Sequence, residues 1–217
     1  MTTEPVTFTS QRPSGDVLLE GRLHLPGGLE TGGVVLCHPH PAGGGDKDVP
    51  LLVYLAQKVA AAGMACLRFD FGGVAGSSGD FTDGAEEPLD AAAAWRFLSE
   101  YESVERDRVA LAGWSFGAWM AIHALADGVP AFSLEAIAPP LNGYRWDEVA
   151  FRLAGSKTRR HYLIGDRDQF CPVDVLLEFT KAVSPEEPER VTVLEGADHF
   201  LVGWEEQVAY QLLNAVA

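Results

Sequence analysis

Apolar and polar positions change rhythm several times along this chain. Near the start, Val6 to Ser10 and Val17 to Leu25 alternate well enough to predict two strands in an antiparallel opening, and Pro26-Gly27-Gly28 breaks the second. Short continuous apolar runs follow at Gly32 to Cys37, Met64 to Phe71, Val109 to Gly113, Ser133 to Ala138 and His161 to Gly165. Runs of that length without alternation predict strands buried on both faces. Val191 to Leu194 alternates and predicts one more strand. Helical period appears between them, at Val49 to Ala62 ended by Gly63, and at Glu86 to Tyr101 with Pro88 near the start. Ala118 to Ala126 predicts a buried helix, Val173 to Val183 one stopped by Pro185, and Phe200 to Ala217 a closing amphipathic helix. The segment from Pro139 to Thr158 shows no clear period.

Strands alternating with helices imply an α/β fold, a mostly parallel central sheet with helices on both faces. The length of 217 residues suits one domain spanning 1–217. In such sheets ligands bind outside the carboxyl ends of the strands. The loops after Cys37, Phe71 and Gly165, and the turn after Gly113, all fall at that edge.

Charge narrows the range of partners. A formal net charge of −15 argues against nucleic acid and against anionic membrane surfaces, both of which need a basic face. No apolar run reaches the length of a membrane span, and the N-terminus lacks a basic region followed by an apolar core. The three cysteines are scattered, with Cys37 and Cys66 in strand-like runs and Cys171 in a loop, which suits a reduced cytoplasmic protein.

The chemistry centres on Gly113-Trp114-Ser115-Phe116-Gly117, between a predicted strand and a predicted helix. This G-x-S-x-G pattern predicts a nucleophile elbow, a serine lifted on a tight turn to meet a carbonyl carbon. The plainer alternative is an ordinary strand-to-helix turn with Ser115 as its N-cap. A serine hydroxyl needs a base, and the base an orienting acid. Among the six histidines, His199 in Gly196-Ala-Asp-His follows the last strand and can be aimed at Ser115. His24, His123 and His161 read as core or surface residues. Two acids lie between serine and histidine in the chain, Asp166 and Asp168. Asp168, further round its loop, is preferred, and Asp166 reads as a turn residue bonding its own backbone. Asp198 reads as a helix cap. The order Ser115, Asp168, His199 is the one expected at the edge of such a sheet.

An oxyanion needs backbone donors. The amide of Phe116 supplies one, and the loop His38-Pro39-His40-Pro41-Ala42 the other. The prolines have no N–H, which leaves His40, with Ala42 as a weaker option. Trp114 and Phe170 are positioned to line an apolar acyl pocket, whereas Trp119 on the buried helix reads as core. A metal site from His38, His40 and Asp46 lacks further ligands at a recognisable spacing, so no metal and no cofactor is expected. The glycine-rich Gly72 to Gly79 fits neither dinucleotide nor P-loop spacing.

Four stretches carry a family resemblance over nearly the whole chain: His38-Pro-His-Pro41, Arg68-Phe-Asp-Phe71 with its glycine loop, Gly113-Trp-Ser-Phe-Gly117 and Gly196-Ala-Asp-His199. The chain resembles the α/β-hydrolase superfamily, and within it the small, lid-poor bacterial members with a His-Pro-His-Pro loop. The Ile164-Gly-Asp-Arg-Asp168 stretch is similar to that family's acid loop. The resemblance implies a Ser-Asp-His triad and hydrolysis of carboxylic esters. One departure stands out. Such proteins usually have Arg-Gly-x-Gly-x-Ser after the fourth strand, and here Gly72 replaces the arginine and Ala75 a glycine. In the proteins it resembles that guanidinium ties down loops beside the site, so its absence implies looser loops and an altered substrate choice rather than altered chemistry.

The expected protein is thus a serine hydrolase acting on a small-molecule ester through an acyl-enzyme. Its rivals are a thioesterase or peptidase on the same fold, and a scaffold without catalysis. The short Pro139 to Thr158 segment leaves no room for a large helical lid.

Overall fold

The computed structural model describes residues 1–28, 32–142 and 145–216. The predicted antiparallel opening forms as β1 (Thr2–Ser10) and β2 (Val17–Leu25), paired from Thr2↔Leu25 to Ser10↔Val17. The first strand starts four residues earlier than its pattern indicates. Thr2 to Pro5 are mostly exposed on an edge strand, so nothing apolar marks them. The buried runs become β3 (Gly33–Cys37), β4 (Ala65–Phe69), β5 (Val109–Trp114), β6 (Ser133–Ile137) and β7 (Arg159–Gly165), and β8 (Arg190–Leu194) completes the set. Among the described residues these form one eight-stranded sheet in the order β1-β2-β4-β3-β5-β6-β7-β8. From β4 to β8 every neighbouring pair is parallel.

The helices are α1 (Pro50–Ala61), α2 (Glu87–Ser99), α3 (Phe116–Ala126), α4 (Asp147–Leu153), α5 (Val173–Val183) and α6 (Glu205–Val216). One core packs α2, α3, α4 and α5 on one face of the sheet, around Leu111, Tyr162 and Phe179. A second packs α1 and α6 on the other, around Val34, Leu55, Leu163 and Leu212. The expected mostly parallel sheet with helices on both faces is therefore present, and no lid domain stands over it among the described residues.

Two helices differ from the pattern. The segment after Pro139 holds α4, whose two turns bury only Val149, Ala150 and Leu153, too few apolar positions to declare a period. The last helix starts at Glu205 rather than Phe200, because Leu201 turns into the left-handed region at φ 56°. Ala217, the last residue of the predicted helix, lies outside the described residues. Among the described residues no helix is long and apolar enough to cross a membrane.

His24 is a buried residue of β2, as the strand pattern suggests, at 3% exposure. Its Nε2 accepts from Arg68 Nε at 3.1 Å. Burial, helped by the Arg68 charge, pushes the imidazole down from 6.5 to about 4. The folded state thus refuses a proton that the unfolded chain accepts. The resulting stability is whole above about pH 6.5 and is lost as the pH falls through about 4. Its full size is about 3 kcal/mol. Denaturant unfolding between pH 7 and pH 4.5 is expected to show a shallower slope for His24→Asn than for the parent, by about 2 kcal/mol. Equal slopes would remove His24 from the acid response.

Candidate active site

The elbow is built by close approach. Ser115 follows β5 at φ 55° and ψ −120°, a conformation costly for a residue with a side chain, and α3 starts at the next residue. A Cβ on Gly113 would collide with the backbone of Gly117, and one on Gly117 with the carbonyl of Cys37. Both positions therefore require glycine, and the turn can be as tight as the pattern implies. Ser115 N donates to the Ile137 carbonyl at 2.8 Å, which pins the turn to β6.

Three distant loops bring their side chains to this point. Ser115 Oγ lies 2.7 Å from His199 Nε2, and His199 Nδ1 lies 2.8 Å from Asp168 Oδ2. With the Asp168 carboxylate at Nδ1, the neutral imidazole carries its proton there and accepts the Ser115 hydroxyl at Nε2. The Asp168 side chain is fully buried, and its other oxygen accepts from Phe170 N at 2.8 Å and Cys171 N at 3.0 Å. Asp166, expected to bond its own loop, instead accepts from Gly196 N across the gap at 2.7 Å. It staples the acid loop to the histidine loop. Asp198 is no helix cap, since α6 begins well beyond it. Its carboxylate accepts from Phe200 N within the loop.

A cavity of about 670 Å3 opens over Ser115 and His199. Its walls are mainly apolar and include Trp114, Phe116, Phe170 and Phe200. Trp114 also donates from Nε1 to the His199 carbonyl at 3.2 Å, so it anchors the histidine loop as well as lining the cavity. Phe170 lies against the His199 ring with centroids 4.5 Å apart. Trp119 is buried in the core. A larger cavity, about 850 Å3, opens elsewhere, beside Arg160 and Glu189, which pair with each other, and touches none of these residues.

The His-Pro-His-Pro loop passes beside the elbow. His38 is buried, accepts from Phe71 N at Nε2 and bonds the Pro39 carbonyl through Nδ1, and its burial lowers its pKa. The amide of Ala42 is taken by the His40 ring, at 3.1 Å from Nδ1. No group among the described residues accepts from the amides of His40 or Phe116. Among those residues no cluster of three metal-ligating side chains forms. All three cysteines are free and buried. Burial raises the Cys37 and Cys66 thiols and pushes Cys171 up to about 12.

Another arginine occupies the space at position 72. The guanidinium of Arg12, just past β1, fills the space where a side chain at Gly72 would begin. It pairs with Asp90 through Nε at 2.9 Å and through Nη2, reaches within 3.6 Å of Glu87, and donates to the Asp80 carbonyl at 2.9 Å. Asp90 accepts from Gly72 N as well. Ala75, where a glycine is usual, sits at φ 45°, a conformation glycine adopts without cost. Sequence reading missed Arg12, and its only trace there is the glycine at 72.

Known proteins bear on this site. The X-Pro dipeptidyl-peptidase (S15) family matches residues 14–170. An uncharacterized protein of Rickettsia prowazekii, RP471, is 31% identical over 170 residues, 76% of this chain and 70% of that protein. An alpha-beta serine hydrolase homologue from Coxiella burnetii superposes with a TM-score of 0.81 at 28% identity, over 98% of this chain and 97% of its own. The Xanthomonas campestris protein XC6422, an α/β serine hydrolase without a lid, superposes at 0.77 over 99% of this chain and 96% of its own. At 21% identity it attests the fold alone.

Proposed function

Because the chain belongs to the X-Pro dipeptidyl-peptidase (S15) family and is a serine hydrolase of the α/β-hydrolase fold, we propose that it cleaves carboxylic esters through Ser115, His199 and Asp168. One observation carries this reading: the unbroken line of hydrogen bonds from Ser115 Oγ through His199 to Asp168, opening into an apolar cavity. His199 takes the Ser115 proton as Oγ attacks the acyl carbon. The amides of Phe116 and His40 receive the negative charge on the carbonyl oxygen. Asp168 holds the imidazole tautomer and stabilises the imidazolium. His199 then returns the proton to the leaving alkoxide. Water, deprotonated by the same ring, releases the acid.

The acyl group occupies the cavity beside Trp114 and Phe170. The segment after Pro139 adds only the short α4, so no helical lid among the described residues covers a long chain, which favours short ones. With p-nitrophenyl esters from acetate to dodecanoate, kcat/KM is expected to be highest at two to six carbons and at least about tenfold lower at twelve, the equivalent of one to two misplaced methylenes at about 1 kcal/mol each. A steady rise to twelve carbons would refute the short-chain assignment. A fluorophosphonate is expected to label Ser115.

A second reading, peptidase, draws on the family name alone. An alanyl-prolyl p-nitroanilide assayed beside the acetate ester separates the two. Faster turnover of the anilide would replace the ester reading.

A further inference from the structure

The proposed mechanism uses only the amide of His40, yet its imidazole is fully engaged. Nδ1 accepts from Ala42 N at 3.1 Å, so the neutral ring carries its proton on Nε2, which donates to Asp83 Oδ1 at 2.8 Å. The ring stands edge-on to Phe116, at 5.1 Å between centroids, and to Phe81 at the same distance. The His40 carbonyl accepts from Gly43 N at 3.0 Å and Gly45 N at 3.2 Å. One residue thus closes its own turn, abuts the start of α3 and reaches across to the segment before α2.

The segment that carries Asp83 is held in place by Glu87. Asp83 sits at φ 54°, in the left-handed region, with its side chain 77% exposed. The amides of its neighbours Thr82 and Gly84 donate to the buried Glu87 carboxylate at 2.8 and 2.6 Å. Glu87 lies beside the Arg12 guanidinium. A surface pair such as Asp83 and His40 adds little to stability. The buried Glu87 clamps the backbone on both sides of Asp83, an arrangement that so small a gain does not explain. Outliers of this kind collect where geometry serves a site.

We propose that Asp83 and His40 act as a positioning pair that presets the oxyanion hole, the carboxylate fixing the ring and the ring fixing the direction of the His40 amide. The inference rests on the serine-hydrolase reading above. An oxyanion donor acts on the transition state more than on the bound substrate, so slackening it lowers kcat and spares KM.

Asp83→Gly removes the carboxylate without straining the backbone. His40→Asn keeps a short acceptor for Ala42 N and cannot reach Asp83. With p-nitrophenyl acetate, each variant is expected to lose about ten- to a hundredfold in kcat, less than the loss of a whole oxyanion donor. KM is expected to stay within about twofold. The double variant is expected to be no slower than the worse single one, as for groups acting as a unit. Asp83→Asn, which keeps an oxygen in place, is expected to recover most of the rate. An unchanged kcat in Asp83→Gly, or a loss confined to KM, overturns the positioning role while parental activity and Ser115 labelling stand. A parent that neither turns over the ester nor labels overturns the hydrolase reading beneath it.

Discussion

Replacing Ser115 by alanine is expected to lower ester turnover about a million-fold, the loss seen when a serine nucleophile is removed from a working triad. The expectation follows from the geometry. The Ser115 hydroxyl is the group that meets both His199 Nε2 at 2.7 Å and the open cavity. Deleting it leaves the base with nothing to activate except water. Residual acceleration from the oxyanion donors and binding remains, about a thousand- to ten-thousandfold over water. The fold is expected to survive. Alanine bears the same strain at φ 55°, and the hydroxyl accounts for one hydrogen bond, about 1 kcal/mol. A melting temperature close to the parent's, together with lost fluorophosphonate labelling, separates chemistry from unfolding. Turnover within about tenfold of the parent would end the nucleophile assignment, since no auxiliary role of a hydroxyl carries a million-fold effect.

Much of this arrangement was legible in the chain because short-range rules set it. The buried strands declare themselves as unbroken apolar runs, and the elbow by two glycines that sterics demand. The convergence of Ser115, Asp168 and His199 follows from parallel strands all ending at one edge. The failures also share a physical cause. Glu87 and Asp90 fall in the predicted helix from Glu86 to Tyr101, whose pattern does not mark them, yet both are fully buried. Their partner Arg12 lies far away in sequence, in a hairpin whose pattern concerns only its own strands. Asp166 was misread for the same reason, because its partner, the Gly196 amide, belongs to another loop. Local periodicity reports which face of an element is apolar. It carries nothing about which buried charge meets which.

Arg12 is therefore the sharpest test of how the site is held. Arg12→Ala is expected to cost about 3–5 kcal/mol, the usual penalty for leaving buried charge without its partner. For a chain of this length that corresponds to a fall in melting temperature of about 6–20 °C. Asp90 loses its paired donors, Glu87 its nearest cation and the Asp80 carbonyl its hydrogen bond. The substitute nature of Arg12 can be tested directly. A side chain at Gly72 would begin inside the Arg12 guanidinium, so Gly72→Arg alone is expected to destabilise by forcing two cations into one space. In the Arg12→Ala background that space is vacant, and the same change is expected to return a guanidinium to Asp90 and Glu87. The double variant is expected to be more stable than either single one, with a coupling of about 1–3 kcal/mol in denaturant unfolding. Simple additivity would mean that Arg12 does not stand in for a residue at 72. A loss under about 1 kcal/mol in Arg12→Ala would mean that water reaches Asp90 and Glu87 as soon as the arginine leaves, so that the buried pair contributes little to the native state.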